Sequence, residues 1–384
     1  MRRNEALKTI PTPSYLFDED LLDDRVRLVR DAFPSSVSLC YAVKANPFLV
    51  GHLSPLVDRI EACSPGELEI CRLSHIPMEK VVFSGVAKSR DEIAHAMDAH
   101  VGCITVESIS QYDAVVSLCE ERKENENILL RLTSGNQFGI DAKELVPLLE
   151  KGSPCAVEGI QYYSGTQKHA AEMQKEISFL ASFCKEHGIK TLEYGPGLPI
   201  RYFDTQGKAE SDKELLSDLE TGLPRDLHVV LEMGRFLVAG CGFYVSSVVD
   251  MKKNDGVTYL IIDGGINHVS YYGQIMGMRK PPVSELGPYD PSLPPVPATI
   301  CGSLCTVSDV LAKGVPFHPA IGNRILFSSI GAYSVTEGIY LFLSRDMPRI
   351  YRFTEKNGVA ILRDNVETCR LNMPQEGDSH GTIA

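Results

Sequence analysis

The stretch SLCYAVKANP, Ser38–Pro47, is an apolar, β-prone run that ends in Lys44 and is closed off by Pro47. A lysine where a buried strand runs out either carries its charge to solvent or has chemistry to do. Working outward, seven more β-rich runs ending in turn or helix-start signals lie before residue 235. The full set is SVSLCYAV (36–43), VDRIEAC (57–63), KVVFSG (80–85), HVGCITV (100–106), NILLRLT (127–133), VEGIQYY (157–163), KTLEYG (190–195) and HVVLEM (228–233). Helical signals separate most of them. ESISQYDAVVSLCEERK opens on a Ser108 cap and then repeats apolar residues at helical spacing. KSRDEIAHAMDA places Glu92 three residues after Ser89, a capping box. KHAAEMQKEISFLASFCKEHGI reads as a long amphipathic helix ending at Gly188.

Strands alternating with helices predict a parallel sheet with helical crossovers. Eight such units match the count of a closed (β/α)8 barrel, a TIM barrel, with an open doubly wound sheet as the alternative. The barrel is expected over residues 20–240. After Arg235 the texture changes. GFYVSSVVDMKKNDGVTYLIIDGG reads as two strands joined at KKNDG, and PATICGSLC, ILFSSIGAYSV and IYRFTEKNGVAILR continue with many turns and few helices. Residues 241–384 are therefore expected to form a mostly antiparallel β domain, joined by a strand near 13–17. The Pro-rich segment 281–297 is expected to be an ordered loop, and the polar tail from about residue 371 to be disordered.

Composition narrows the class. The 384 residues are 43% apolar and 23% charged, ordinary for a globular chain. A net charge of −12 disfavours nonspecific binding to nucleic acid or to anionic membranes. No run approaches the ~20 apolar residues of a membrane span, and the N-terminus lacks the apolar core of a secretory signal. The eleven cysteines contain no CxxC pair and read as reduced thiols of a cytoplasmic protein, with no metal site expected.

In such a barrel, chemistry collects at the C-terminal strand ends. Those ends carry Lys44, Glu61, Arg131, Tyr163, the turn Gly195–Gly197 and Glu232. A desolvated lysine can capture an aldehyde, a carboxylate can keep a pyridine nitrogen protonated, and glycine turns can present N–H groups to a phosphate. The set suits pyridoxal 5′-phosphate. Singly, each residue has a plainer reading: Lys44 snorkelling to solvent, Glu232 capping the helix at Gly234, Tyr163 packing in the core. Lys44 and Glu232 at the same end of one barrel favour the joint one.

The motifs YAVKANP (41–47), EACSPGELE (61–69), VVFSGVAKSRDEI (81–93), NQFG (136–139), YSGTQ (163–167), YGPGLP (194–199), EMGRFLVA (232–239), IIDGG (261–265), CGSLCTVSDVLA (301–312) and GAYSVTEG (331–338) follow one another in an order that resembles the fold-type III pyridoxal-phosphate enzymes, which include alanine racemase and the diaminopimelate and ornithine decarboxylases. The resemblance implies that Lys44 holds the cofactor covalently and that Glu232 pairs with its ring nitrogen, which favours a decarboxylase over a racemase. It implies that Tyr163 stacks on the ring, and that Thr166, Gly197, Gly234, Arg235 and Tyr333 surround the phosphate. Cys305 matches the cysteine that returns a proton to Cα. In the family that residue comes from the partner subunit, so a head-to-tail homodimer is implied.

Several positions depart from the pattern. Glu61 replaces an aspartate, Pro196 replaces the middle glycine of the loop, and Thr306 replaces the acid that binds a distal amine. The arginine that grips a distal carboxylate in diaminopimelate decarboxylases follows the Asp-Gly-Gly strand, where this chain reads INHVSYYGQIMGMRKPP. Thr306, Asn267 and Tyr272 are the residues expected toward the substrate. The resemblance thus implies a decarboxylase of an amino acid, free or tethered to a carrier protein in a secondary-metabolite or siderophore branch. An amino-acid racemase and a non-catalytic cofactor carrier are the alternatives.

Overall fold

The structure, a computed structural model, describes residues 2–150, 153–203, 211–271 and 278–374. It divides into two compact units, one of Leu21–Arg201 and Lys208–Ala239, the other of Met1–Asp20, Tyr202–Gly207 and Gly240–Ala384. The first strand, β1 (Ser14–Asp18), belongs to the second of these. Eight strands build the first: β2 (Ser38–Ala42), β3 (Arg59–Ala62), β4 (Val81–Phe83), β5 (Cys103–Val106), β6 (Glu126–Arg131), β7 (Cys155–Tyr163), β8 (Thr191–Gly195) and β9 (His228–Met233). Each pairs in parallel with the next, and β9 pairs with β2 to close the barrel. Closure leaves no free edge, and the open-sheet alternative falls. All eight expected runs are strands.

The helices form where the sequence offers caps. Ser64, Ser89, Ser108 and Ser211 each accept an N–H from the third helical residue, at 3.2 Å in every case. The box at Ser89–Glu92 is complete in both directions. The long helix spans Ala170–Glu186 and stops before Gly188, whose φ of +67° no side chain adopts easily.

Strand register decides what faces inward. Cys40 and Ala42 of β2 lie beside Arg59 and Glu61 of β3, and Cys40 also lies beside Glu232 of β9. On the far side, Arg131 of β6, Gln161 of β7 and Glu193 of β8 are neighbours. Inward positions recur every second residue, so one strand end supplies residues to successive layers. Val82, Cys103 and Leu129 pack one part of the interior. Another part is charged: Arg59 donates to Glu158 at 2.8 Å and approaches Glu193 at 3.6 Å. Glu158 sits where the β6–β7 register slips, so the bulge brings its carboxylate to Arg59.

Glu193 is fully buried, and among the described residues neither of its oxygens accepts a hydrogen bond. Burial, and then the charge of Glu232, push its carboxyl up to about 8. The folded chain therefore keeps a proton that the unfolded chain releases near the ordinary carboxylate value, and stability falls as pH rises between those limits. Glu193→Gln removes that titration. Its melting temperature is expected to gain on that of the wild type from roughly pH 5 to pH 8, by the equivalent of a few kcal/mol (order of magnitude). Parallel curves of melting temperature against pH for the two proteins would count against a neutral Glu193.

The second unit is a nine-stranded sheet. After β10 (Gly242–Asn254) come β11 (Val257–Ile262), β12 (Val283–Gly287), β13 (Val296–Cys301), β14 (Val310–Phe317), β15 (Arg324–Ser328), β16 (Arg349–Thr354) and β17 (Gly358–Arg363). The main path is β14-β13-β11-β10-β1-β16-β17, with β15 joining β10 and β12 joining β15. Most pairs are antiparallel, while β1–β16 and β11–β13 are parallel. Strand β1 lies between β10 and β16. Three features differ from expectation. The β10–β11 turn is tighter than KKNDG, because Lys252–Asn254 stay in the ladder and only Asp255 and Gly256, both at positive φ, make the turn. The Pro-rich segment contains β12, and the helix Arg3–Thr9 was not anticipated. The part of the tail from residue 375 lies outside the described residues. Among the described residues no helix is long and apolar enough to cross a membrane, and all eleven cysteines are free.

Candidate active site

Lys44 sits in the single 3-10 turn Val43–Ala45 that follows β2. The next turn starts at Pro47, and Asn46 between them caps it by accepting Phe48 N–H at 3.1 Å. The proline thus ends the strand and aims the lysine into the barrel. Its Nζ donates to Glu61 Oε2 at 2.7 Å and to Glu232 Oε1 at 3.5 Å, and lies 3.4 Å from Cys63 Sγ. Gln161 donates from Nε2 to the other Glu232 oxygen at 2.9 Å. Four strands, β2, β3, β7 and β9, thus meet around one ammonium.

Two carboxylates on one lysine do not ionise alike. Burial opposes the charge of Glu61, but the Lys44 ammonium prevails and holds Glu61 below the ordinary carboxylate value. Burial and the charge of Glu61 raise Glu232, and a hydrogen bond between the two carboxyls adds to the rise. Glu61 is the counter-ion of Lys44, and Glu232 is the carboxyl that keeps a proton. Burial also raises the Cys63 thiol well above its usual value, with Glu61 adding to the effect, so Cys63 is a neutral S–H here.

The rim is built from the other strand ends. Arg131 donates to Glu107 at 2.7 Å, and its guanidinium lies 4.9 Å from the Phe138 ring centroid. Arg131 thus ties the loop after β6 to the residue after β5. Tyr163 ends β7 and is raised chiefly by burial. A Cβ on Gly195 would come within 2.6 Å of the Tyr163 ring, so glycine leaves room for the ring beside the end of β8. Gly197 has φ +62°, and a Cβ there would fall 2.1 Å from Gly165 O. Thr166 lies in the bend of the facing loop. Gly234 precedes the short helix Arg235–Val238, so Gly234 and Arg235 follow directly on Glu232.

These residues fit pyridoxal phosphate. An amine stands beside a carboxyl whose proton affinity is raised, and Gly197 lets its turn approach the facing loop at Gly165, on which a Cβ would meet nothing within 4 Å. Lys44 would hold the aldehyde carbon, Glu232 the ring nitrogen, and the Thr166 and Gly197 loops the phosphate.

The remaining expected residues belong to the β unit. Tyr333 has φ +66° and precedes the turn Ser334–Glu337. Cys305 is exposed in the loop between β13 and β14, and its neighbour Val307 is 99% exposed. The buried Asp309 carboxylate shapes that loop by accepting Ile266 N–H at 2.9 Å and Leu304 N–H at 2.8 Å. Thr306 Oγ lies 2.9 Å from Ser308 Oγ. Asn267 is buried, and Tyr272 lies outside the described residues.

Sequence reading overlooked Cys63 and Gln161. The period of two was the available signal, since Gln161 stands two residues before Tyr163 on β7 and Cys63, just past β3, two residues after Glu61. It also overlooked Lys168, which carried no local signal.

Residues 19–239 match the pyridoxal binding domain of the pyridoxal-dependent decarboxylases. The chain is 26% identical to the L-glutamyl-[BtrI acyl-carrier protein] decarboxylase of Niallia circulans, over 89% of this chain and 88% of that protein. It is 27% identical to the diaminopimelate decarboxylase of Aquifex aeolicus, over 86% and 84%. Identity to the 2-[(L-alanin-3-ylcarbamoyl)methyl]-2-hydroxybutanedioate decarboxylase of Staphylococcus aureus is 25%, over 90% and 95%. In fold, the chain superposes on the crystal structure of diaminopimelate decarboxylase from Helicobacter pylori with a TM-score of 0.84 at 21% identity, covering 97% of this chain and 99% of that one.

Proposed function

The chain belongs to the pyridoxal-dependent decarboxylase family and is a pyridoxal-phosphate-dependent amino-acid decarboxylase, and from that premise we propose that Lys44, Glu232 and Cys305 carry the reaction. The observation behind this reading is the Lys44 ammonium held between an ionised Glu61 and a protonated Glu232 at the mouth of the barrel. The barrel over 20–240 and the β domain over 241–384 are the proposed division of labour.

When bound, the cofactor supplies an aldehyde that captures amines and a ring that accepts the electron pair freed at Cα. Lys44 supplies the holding amine. Glu61, at 2.7 Å, takes the proton that Lys44 must lose to become a nucleophile. Glu232 would pass its proton to the ring nitrogen and stay there as the negatively charged partner, with Gln161 fixing its other oxygen. Tyr163 covers one face, and Thr166, Gly197, Gly234 and Arg235 form the phosphate seat. Cys305 donates the proton that replaces carbon dioxide at Cα. Its exposed position on a loop tip supports delivery to the site of a second copy in a head-to-tail homodimer.

The substrate is an amino acid whose distal end carries no free ammonium. Thr306, with Ser308 beside it, offers that end hydroxyls and no carboxylate. One relative acts on a glutamyl group held by an acyl-carrier protein, and this chain is proposed to accept a carrier-tethered or amide-capped amino acid in preference to a diamino acid. The test is carbon dioxide release across a panel of amino acids, free and as carrier thioesters, in D2O. We expect release with one deuterium at Cα of the product. Deuterium in recovered substrate without carbon dioxide would make the chain a racemase, and preferred turnover of lysine, ornithine or diaminopimelate would overturn the substrate class.

A further inference from the structure

The two loops of the phosphate seat are tied to each other with unusual thoroughness. Lys168 N donates to Gly197 O at 3.1 Å. Gln167, itself at φ +62°, brackets Ile200: its Nε2 donates to Ile200 O at 3.0 Å, and its Oε1 accepts Ile200 N–H at 2.6 Å. Behind them lies the Lys168 side chain, only 8% exposed. Its Nζ donates to Ser164 Oγ at 3.0 Å in one loop, to Gly195 O at 3.3 Å in the other, and to Glu176 Oε2 at 2.7 Å on the helix Ala170–Glu186. Glu176 in turn accepts from Tyr194 OH at 2.7 Å and from the Ser164 hydroxyl.

An ammonium has three N–H bonds, and here all three are spent on protein oxygens. Lys168 is therefore not a free cation waiting for an anion. It is a strut across the gap between the loops. The stem fills that gap so closely that a Cβ on Gly197 would lie 2.8 Å from Lys168 Cε. We propose that Lys168, anchored by Glu176, is a positioning residue that sets the spacing of the Ser164–Lys168 and Gly195–Ile200 loops to that of a phosphate group, and so governs affinity for the phosphate end of the cofactor without touching it. The proposal rests on the phosphate seat proposed above.

The two ends of the cofactor can be tested apart. Pyridoxal offers Lys44 the same aldehyde and Glu232 the same ring nitrogen, but no phosphate. Binding of pyridoxal phosphate and of pyridoxal to the full-length apoprotein would be titrated by the visible absorbance of the lysine-bound form, with thermal unfolding of each apoprotein as the check on folding. For Lys168→Met the Kd for pyridoxal phosphate is expected to rise about 10- to 100-fold, while that for pyridoxal stays at the wild-type value. Should the single variant, with Glu176 deprived of its cation, fail to fold, Lys168→Met with Glu176→Gln buries no lone charge and is expected to show the same selective loss. Equal weakening of both ligands, or no weakening of either, would overturn the strut. A wild-type protein that binds pyridoxal as tightly as its phosphate would overturn the seat itself, and the strut with it.

Discussion

Lys44→Ala is expected to abolish carbon dioxide release, lowering turnover by at least about 1,000-fold, and to leave no cofactor trapped on the chain after borohydride reduction. The size of the effect follows from how much rests on one nitrogen. Lys44 Nζ is the cation of Glu61, the near neighbour of Glu232 and the polar contact of Cys63. Alanine removes the nucleophile and also the charge that keeps the buried Glu61 ionised. Glu61 then takes up a proton, as an unpaired buried carboxyl does, so added small amines are expected to rescue little. Peptide mapping of the reduced wild type would place the cofactor on Lys44. A variant that still carried cofactor covalently, or still turned over, would remove Lys44 from the mechanism.

Glu232→Gln carries the second-largest expected loss, about 100- to 1,000-fold in kcat with KM little changed. Glutamine keeps the length and can still meet Gln161, which now holds Glu232 Oε2 at 2.9 Å. What it cannot do is hold negative charge opposite a protonated ring nitrogen. The loss should therefore fall on the step in which charge moves into the ring, and a KM–kcat split separates that from damage to binding. The substitution also relieves the repulsion between two buried carboxyls, so the apoprotein should be as stable as wild type or more so. A variant with wild-type kcat would show that the ring nitrogen is served by another group.

The barrel was readable because its strands are short apolar runs and β3, β4, β5 and β8 are followed by serine-capped helices, and these are local properties. Ser89 with Glu92, and Ser108, announced their helices three residues at a time, and each cap is formed. Lys44 and Glu232 were readable for the same reason, since both stand at the ends of recognisable strands. Other features were not local. Glu158 reaches Arg59 through a slip between β6 and β7 that no periodicity marks. Glu193 occupies an ordinary strand position, and only the closed interior makes it a buried acid. The division of charge between Glu61 and Glu232 depends on which one lies 2.7 Å from Lys44 and which 3.5 Å.

By itself the sequence settled the order of the eight barrel strands and the lysine that ends the first of them. Those follow from propensity, period and capping, which act over a few residues. Only the tertiary structure decided that Gln161 and Cys63 join Lys44, that Glu232 is the carboxyl that keeps its proton, and that Lys168 spans two loops instead of facing solvent. Each depends on distance and desolvation between residues far apart in the chain, and these exist only once the eighth strand has closed against the first.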